Sequence, residues 1–311
     1  MNTSKNQKKS LPLYLITLIA IAAYALVAFI GSLIADAKID GAGTAFEKLL
    51  YIIGDKMETP KIFGTWHIVS IIITLAVTVF LVAKFKDCSD AALRRILLVI
   101  WLTMVFFEVY KQLISYFDRN TWTWEYLWHA FPFQFCSTPL YLLPIIIFAK
   151  EGRVRNAVMA YMVTFSLFAG FIVMVYPGDV LCATIGLNIQ TMVHHGLQLA
   201  TGIFLVSHNR HKLSKRFFVW SMIVFVIFAS LALLLNTVMY ITHPEIVFNM
   251  FFISPYFPCT LPVLSAIYPL VPYPVYLLMY VLGFALVSAL VYTIEKCTVT
   301  ICSRIKHRGE N

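Results

Sequence analysis

The sequence predicts an all-α membrane protein, a bundle of about eight transmembrane helices with both termini in the cytoplasm. Its 311 residues are 60% hydrophobic and 13% charged, whereas a soluble domain is about 25% charged. Eight apolar segments are long enough to span a bilayer. The loops between them alternate between rich and poor in Lys and Arg, which is typical of a polytopic membrane protein.

The apolar segments each cover roughly 20 residues, the length that crosses the hydrocarbon core as an α-helix. The first is longer than the roughly 7–15 apolar residues of a signal peptide, so we expect it to be a retained helix. No internal repeat or low-complexity linker interrupts the series, and we predict a single integral-membrane domain over residues 1–311. The predicted spans are 12–35, 65–84, 93–117, 129–149, 156–176, 185–207, 217–241 and 272–294.

Basic residues predict the orientation of these segments. When the loops are assigned to alternate sides, 18 Lys and Arg lie on one side and 5 on the other, with Lys111 inside a helix. The basic side of a membrane protein faces the cytoplasm. We therefore expect a multi-pass protein of the cell membrane, and the net charge of +9 reflects its inner loops. The sequence has no nucleic-acid-binding motif, so the expected partners are membrane lipids.

The stretch FPFQFCSTPLYLLP at residues 131–144 is apolar like a membrane helix, yet it contains three prolines around Cys136. Pro132, Pro139 and Pro144 each remove a backbone donor, which predicts a helix opened around the cysteine. Opened backbone at membrane depth is tolerated where protein or a water-filled cavity covers it. We therefore expect Cys136 to lie in a cavity and to face histidines from another helix. The structural alternative is a small buried thiol on a kinked helix.

Ionisable and amide side chains inside the predicted helices lie at a similar depth, toward the outer side. Such residues are costly in a bilayer and usually face a cavity or each other, so we predict a shared outward-facing cavity. Glu108 and Lys111 are three residues apart and can form an ion pair on one helix face. The candidates at this depth are His67, Glu108, Lys111, Gln134, Cys136, Gln190, His194, His195, Asn236 and Tyr240.

The sixth predicted helix reads NIQTMVHHGLQLATG and has a broad polar stripe that includes His194, His195 and Gln198. Adjacent helical residues point about 100° apart, so one histidine can face Cys136 while the other faces a neighbouring helix. A histidine can deprotonate a thiol and stabilise the thiolate. A lone membrane histidine is often simply an interhelical hydrogen-bond partner. Two histidines with a cysteine could also bind a metal, but this alternative ranks lower, because no Asp lies at this depth and Glu108 has Lys111 as its expected partner. We therefore predict no metal and no cofactor.

The outer loops give three further predictions. FEKLLYIIG at 46–54 indicates a short interfacial helix. The proline-rich loop 242–271 is interpreted as a lid, a re-entrant segment or an ordered loop. Cys182 and Cys259 fall in outer loops, so a disulfide between them fits an oxidising compartment. The other cysteines, Cys88, Cys297 and Cys302, are expected at the cytoplasmic face as plain thiols.

Several of these motifs together resemble the YwaF-like bacterial integral-membrane family, which is itself similar to the eukaryotic transmembrane protein 164, an ether-phospholipid acyltransferase. The resemblance covers roughly residues 63–293. It rests on FGTWHI, FPFQFCSTPLYLLP, TMVHHGLQL, LNTVMY and YPLVPYPVYLL. It implies a Cys/His acyl-transfer site with Cys136 as nucleophile and His194 or His195 as its base. Bacterial relatives often carry His two residues before the cysteine and Asp after it, where this chain has Gln134 and Ser137.

Three functional hypotheses follow. The first is a membrane acyltransferase or lipid hydrolase that forms a thioester at Cys136, with Gln134, Asn236 or an opened backbone N–H near Pro139 stabilising the oxyanion. The second is a small-solute or proton-coupled transporter, in which Glu108, Lys111 and the histidines line a binding cavity. The third is a structural or sensory membrane protein whose polar groups hold helices together. A pocket closed toward the cytoplasm favours the enzyme, and a continuous inner polar path favours transport.

Overall fold

The computed structural model describes residues 12–208 and 214–309, with side chains as far as residue 301. Its architecture is an all-α helix bundle, as predicted, with one short hairpin formed by β1 (Phe117–Asp118) and β2 (Thr123–Trp124) among the described residues. The helices are α1 (Leu13–Lys38), α2 (Ala45–Ile53), α3 (Thr65–Phe85), α4 (Asp90–Ile114), α5 (Thr138–Phe148), α6 (Arg153–Tyr161), α7 (Leu167–Val175), α8 (Ile185–His208), α9 (Lys215–Thr242), α10 (Leu264–Ile267) and α11 (Tyr273–Gly309).

The chain divides into two compact units, Met1–Leu49 and Leu50–Asn311, and the single domain predicted from the sequence stays a prediction. The first unit contains α1 and the beginning of α2. There the Lys48 ammonium pairs with Asp36 at 2.9 Å. Thr44 and Glu47 form a capping box at the start of α2, in which each backbone N–H is bonded by the other side chain. A short helix is thus confirmed at the position predicted as 46–54, and its interfacial placement stays a prediction.

Five helices of the described part are long and apolar enough to cross a membrane. They are α1, α3, the continuous helix Arg153–Val175, α9 and the part of α11 as far as Ile301. Two other predicted spans coincide with α4 and α8. The total of eight crossing helices and the cytoplasmic placement of both termini stay predictions.

The predicted span 129–149 is helical only from Thr138, and shorter than expected. Two 3₁₀ turns, Trp128–Ala130 and Phe135–Ser137, precede α5. Pro139 lies in the first turn of α5, where its missing N–H costs little. Pro144, in contrast, does not open the helix around the cysteine as predicted, because it lies inside α5. A helical proline frees the carbonyl four residues earlier, and Trp101 Nε1–H donates to that Leu140 carbonyl at 2.9 Å.

The C-terminal end of α5 is held by arginines from both neighbouring helices. Arg94 of α4 donates to the Ile147 carbonyl at 2.6 Å, and Arg155 of α6 donates to the Ile146 carbonyl at 2.9 Å. Both arginines also pair with Asp90 at the start of α4. These contacts satisfy carbonyl groups that the last turn of a helix leaves without a partner. They explain how a fully buried arginine is tolerated at position 155.

Helices α6 and α7 are one continuous helix joined by a π-helical turn at Met162–Ser166. This turn packs against α8, α9 and α11. π-Turns inside α-helices occur often at functional sites.

Small residues let the neighbouring helices approach α8 closely. A Cβ atom added at Gly170 of α7 would lie 2.6 Å from the Leu199 nitrogen and 2.9 Å from the His195 carbonyl oxygen. One added at Gly196 of α8 would lie 2.5 Å from the hydroxyl of Thr74 on α3. Glycine is therefore required at position 170, where the obstructing atoms belong to the backbone of α8, whereas a side chain at position 196 would require the Thr74 hydroxyl to move.

Candidate functional site

Helix α8 presents a buried polar face along most of its length. The polar side chains of this face are all at most 7% exposed. Their spacing follows the helical repeat, so the stripe faces the neighbouring helices instead of lipid. Its members are Asn188, Gln190, Thr191, His194, His195, Gln198 and Thr201.

The imidazole of His194 contacts the backbone of Cys136. In the 3₁₀ turn Phe135–Ser137 the Cys136 carbonyl would accept from the residue three positions further on. That residue is Pro139, which has no N–H. The Nε2 of His194 replaces this missing donor and lies 3.0 Å from the Cys136 carbonyl oxygen. The sequence predicted that an imidazole contacts the thiol, and the hydrogen bond in the structure is instead to the carbonyl of this half-buried cysteine residue.

The acceptors of these hydrogen bonds define the tautomer of each histidine, since a carbonyl oxygen can only accept. His194 must carry its proton on Nε2 to donate to Cys136. His195 must carry its proton on Nδ1 to donate to the Thr191 carbonyl at 2.8 Å. The other nitrogen of each ring, Nδ1 of His194 and Nε2 of His195, is buried and has no hydrogen-bond partner among the described residues. Two basic lone pairs are therefore free within one site, on rings whose centroids are 5.4 Å apart.

Helix α4 adds a charge pair to this site. Lys111 Nζ lies 2.8 Å from Glu108 Oε1, which confirms the predicted ion pair. The second carboxylate oxygen, Glu108 Oε2, is buried and has no hydrogen-bond partner in the part of the chain that the structure describes. Both charges are close enough to act electrostatically on the Cys136 thiol and on His195. The convergence expected from helix depth thus brings Glu108, Lys111, Cys136, His194 and His195 together.

A second layer of hydrogen bonds orients the carboxylate. Gln112 donates to Glu108 Oε1 at 2.6 Å and to the Ala130 carbonyl at 2.7 Å. Its own oxygen accepts from the Tyr126 hydroxyl at 2.6 Å. Burial raises the pKa of Tyr126 to about 12, and the negative charge of Glu108 adds to the increase. Tyr126 consequently keeps its proton and acts as a fixed donor at the outer edge of the site.

The pattern that defines the TMEM164 family matches residues 62–292, a range that includes all five converging residues. The chain belongs to the TMEM164 family. No curated protein and no solved structure matches it. The matched region begins just before α3 and ends within α11, close to the limits of the predicted resemblance. It therefore covers the helices that build the cluster and leaves out α1.

In this TMEM164-family protein, His67 stands apart from the cluster. Its Nδ1 accepts from the Phe63 N–H at 3.0 Å, and its Nε2 donates to the Met174 carbonyl at 3.0 Å. Both ring nitrogens are used, and the side chain is completely buried. His67 therefore joins the start of α3 to the end of α7, and it has no nitrogen free for a substrate.

Gln134 and Asn236, the predicted oxyanion donors, hold the loop 242–271 by its backbone. Asn236 donates to the Met250 carbonyl at 3.0 Å and accepts from the Met250 N–H at 2.7 Å. Gln134 donates to the Asn249 carbonyl and accepts from the Phe251 N–H. Phe251 has φ 57°, a left-handed conformation that is uncommon for a bulky residue. The role expected for these amides is thus replaced by anchoring of a strained, buried turn.

These hydrogen bonds show which of the three interpretations of the loop 242–271, a lid, a re-entrant segment or an ordered loop, fits the structure. Met250, Phe251 and Ile253 are each at most 1% exposed, and the Phe251 ring packs on Phe135 beside the cysteine. Asn249 caps the turn by accepting from the Ser254 N–H at 2.9 Å. The loop is therefore an ordered segment packed against the Cys136 turn. Sequence analysis missed Asn249, because a single Asn in a long loop carries no recognisable signal.

Three other predicted residues have partners outside the cluster. Tyr240 is 38% exposed and stacks on Tyr256, with ring centroids 3.8 Å apart. Gln198 donates to Ser166 of the π-turn at 3.1 Å, and its oxygen is buried without a partner. Gln190 is buried and accepts from the neighbouring Thr191 hydroxyl at 3.4 Å.

The predicted disulfide is not formed. Cys182 and Cys259 are both free. The Cys182 backbone is bonded by Asn188 at the start of α8, whereas Cys259 is buried and contacts Tyr276 of α11. The two thiols therefore lie in different local environments. Cys88 and Cys297 are free as expected, and the side chain of Cys302 lies outside the described residues.

Tyr161 is a site residue that the sequence did not indicate. Its side chain is fully buried at the end of α6, and its hydroxyl is near Thr138 and the Cys136 thiol. Nothing in the sequence marks it, because Tyr161 lies 25 residues after Cys136 and on a different helix. Within residues 12–208 and 214–301, no three side chains of His, Cys, Asp or Glu are grouped to hold a metal ion.

Proposed function

We propose that this protein is a membrane-embedded acyltransferase or lipid hydrolase that acts on phospholipid acyl chains through a thioester at Cys136. It would lie in the cell membrane as a multi-pass protein with about eight transmembrane helices, both termini in the cytoplasm and the site in the outer-leaflet half. One observation carries the proposal: His194 contacts the Cys136 residue, and the histidine pair keeps two buried lone pairs free.

In the first half-reaction the Cys136 thiol gives its proton to a histidine, and the thiolate attacks the ester carbonyl of a phospholipid. The carbon–oxygen ester bond breaks as the sulfur–carbon bond forms. The leaving lysolipid oxygen takes the proton from the imidazolium. The products are a neutral lysolipid and an acyl thioester on Cys136. We assign His194 as the base because it already touches this residue.

In the second half-reaction an acceptor hydroxyl, from a lysolipid or from water, gives its proton to the same histidine. The acceptor oxygen attacks the thioester carbonyl, the carbon–sulfur bond breaks, and the departing thiolate regains the proton. A lysolipid acceptor gives acyl transfer and water gives hydrolysis. His195 Nε2 and Glu108 Oε2, both buried and free, are suited to accept hydrogen bonds from the acceptor hydroxyl.

The oxyanion of each tetrahedral intermediate needs donors, and Gln134 and Asn236 are already engaged with the outer loop. Among the described residues, Lys111 acts electrostatically on the Cys136 thiol, the Ser137 hydroxyl is hydrogen-bonded to the thiol, and the Tyr161 hydroxyl lies near it. We assign oxyanion stabilisation to Lys111 and Tyr161. The loss of one such donor typically lowers the rate by about 10²–10³.

The test is intact mass spectrometry of the purified protein after incubation with a phospholipid that carries a labelled acyl chain. We expect one labelled acyl group on Cys136, released by hydroxylamine, and transfer of the label to added lysolipid. The variant Cys136→Ala should show neither, while retaining the wild-type unfolding temperature. Full transfer by Cys136→Ala would eliminate the mechanism.

Cys88→Ala is a matched control, since Cys88 is a free thiol next to the start of α4. It should be acylated and active like the wild type. Labelling that disappears in Cys88→Ala and persists in Cys136→Ala would show that Cys88 carries the acyl group, and would contradict the proposal.

A transporter is the second candidate, and the polar stripe of α8 favours it. Beyond the histidines, Gln198 Oε1 and Thr201 Oγ1 are also buried and lack partners within residues 12–208 and 214–301, so polar atoms of this kind continue along the helix for about two further turns. Proton flux into liposomes containing the protein would separate the two functions. Flux that is unchanged in Cys136→Ala and lost in His195→Ala favours transport, whereas thioester formation without flux favours the enzyme.

A further inference from the structure

The buried face of α11 changes from aromatic to polar side chains along the length of the helix. In its first half the face consists of aromatic side chains, among them Tyr276 and Tyr280, which are at most 1% exposed. In its second half the face is formed by Ser288, Tyr292 and Glu295 at offsets of four and three residues. The opposite surface presents exposed leucines, such as Leu286 and Leu290. Glu295 consequently lies on the protein side of the helix and away from lipid.

The side-chain oxygens of this polar part of the buried face lack hydrogen-bond partners in the described structure. Ser288 Oγ, Tyr292 Oη and both carboxyl oxygens of Glu295 are buried and unpaired within the described part of the chain. Glu295 is 7% exposed. Three unsatisfied side chains in succession on one helix face are unusual, because most buried polar atoms in proteins have partners.

No described cation compensates the Glu295 carboxyl. Lys296, the next residue, places its ammonium over the Tyr292 ring at 5.9 Å. On α9, which packs against α11 through Phe218 and Tyr292, Arg216 lies over Trp220 at 5.3 Å, and Lys215 forms no described ion pair.

An ionised carboxylate in such a place is strongly unfavourable, since it loses hydration and gains neither an ion pair nor a hydrogen bond. Protonation removes the charge and requires no additional space. It also converts one oxygen into a donor that can bond a hydroxyl on the same helix face. Ionisable residues inside membrane segments mark proton or ion pathways more often than they mark packing.

We propose that Glu295 is a proton-binding site, neutral at rest, with Tyr292 and Ser288 as the hydroxyl groups through which its proton is exchanged. This site is separate from the Cys136 cluster and goes beyond acyl transfer. Its ligand is the proton itself. Release of that proton places a charge on a buried helix face, so ionisation must be accompanied by hydration of the face or by a shift of α11.

Infrared spectroscopy of the full chain in lipid tests the proposal directly. We expect the absorption of a protonated carboxyl group at neutral pH, absent from Glu295→Gln and replaced by a carboxylate band in the wild type at high pH. The exposed Glu125 gives the matched control: Glu125→Gln should lack only carboxylate absorption. Absence of a protonated band that depends on Glu295 overturns the proposal.

Folding of Glu295→Gln gives a second, independent measurement. The amide has nearly the shape of a protonated carboxyl and cannot ionise, so we expect the variant to keep the wild-type unfolding temperature at pH 7. Glu295→Gln should also remove any rise in hydrogen exchange of α11 between pH 7 and pH 10. A variant that fails to fold, or that keeps this rise, contradicts a neutral proton site. Neither measurement depends on acyl transfer.

Discussion

The imidazole of His194 holds Cys136 by its backbone, with Nε2 3.0 Å from the carbonyl oxygen. A histidine that donates to this carbonyl does two things at once. It fixes the 3₁₀ turn that carries the thiol, and it leaves its own Nδ1 lone pair free. The structural contribution and the chemical one can be separated by substitution.

His194→Gln retains a side-chain N–H that can reach the carbonyl, but it has no basic nitrogen. We expect this variant to unfold near the wild-type temperature and to lose acyl transfer by about 10²–10⁴, the usual contribution of a general base. His194→Ala should lose the transfer and some stability, about 1–3 kcal/mol, because a buried carbonyl is left unpaired. Thermal unfolding and label transfer measure the two effects. An active His194→Gln would show that His194 is not the base.

Asn236 is predicted to be a stability determinant and not a catalytic residue. Asn236→Leu has a similar volume and removes both hydrogen bonds to Met250. We expect it to destabilise the protein by about 2–4 kcal/mol, because two buried backbone groups lose their partners. The measurement is chemical unfolding in detergent.

Tyr240→Phe is the control for that substitution, since Tyr240 lies on the same helix one turn further and is partly exposed. It should change the unfolding free energy by less than about 0.5 kcal/mol. If Asn236→Leu is as stable as this control, the loop is not held by the amide.

Gly170 is predicted to tolerate no side chain. Gly170→Ala places a methyl group against the backbone of Leu199 and His195 on α8. Overpacking of this kind costs about 1–3 kcal/mol and should also displace the histidine pair, so that acyl transfer falls together with stability. Gly283→Ala is the matched control, because nothing lies within 4 Å of a Cβ there. It should be neutral or slightly stabilising, and a Gly170→Ala variant that behaves the same way would refute the close contact.

The hydrogen bonds between Asp90 and two arginines lead us to expect that the protein loses stability in acid. Burial by itself raises the pKa of Asp90, but hydrogen bonds from Arg94 and Arg155 outweigh burial and hold the pKa below its ordinary value of 3.8. A carboxyl with a lowered pKa in the folded state stabilises the fold above its ordinary pKa and loses that contribution as the pH falls through the lowered value. Unfolding temperatures measured between pH 7 and pH 3 should therefore drop at the acid end.

Asp90→Asn should remove this component of the acid dependence and be less stable already at pH 7, by about 1–3 kcal/mol, since the buried Arg155 loses its closest carboxylate. The exposed Asp179 gives the comparison. Asp179→Asn should keep both the neutral-pH stability and the acid response of the wild type. An acid response in Asp90→Asn equal to that of the wild type would assign it to other carboxyl groups.

Local features of the sequence were sufficient to predict the helices and the break before α5. An apolar segment of bilayer length predicts a helix independently of the segments that pack against it. Pro132 and Pro139 likewise interrupt helical hydrogen bonding of the backbone in their own stretch. The ion pair between Glu108 and Lys111 is equally local. Depth in the bilayer was enough to predict that this pair, Cys136 and the histidines come together.

Contacts between distant segments could not be predicted in the same way. Gln134 and Phe251 are 117 residues apart, and a polar side chain at membrane depth indicates a partner without indicating whether it is a substrate or a backbone. His67 illustrates the same limit. Its burial and its hydrogen bonds to the Phe63 amide and the Met174 carbonyl depend on the packing of α3 against α7. Tyr161 reaches Cys136 by the geometry of tertiary packing alone.

The short helix α5 also limits how the protein can move. Its Leu140, Ile146 and Ile147 carbonyls are held by side chains of Trp101, Arg155 and Arg94. Sliding this helix along its axis, or rotating it, would break three cross-helix bonds together. The turn that carries Cys136 is therefore attached to a helix whose position along and about its own axis is fixed by three neighbouring side chains.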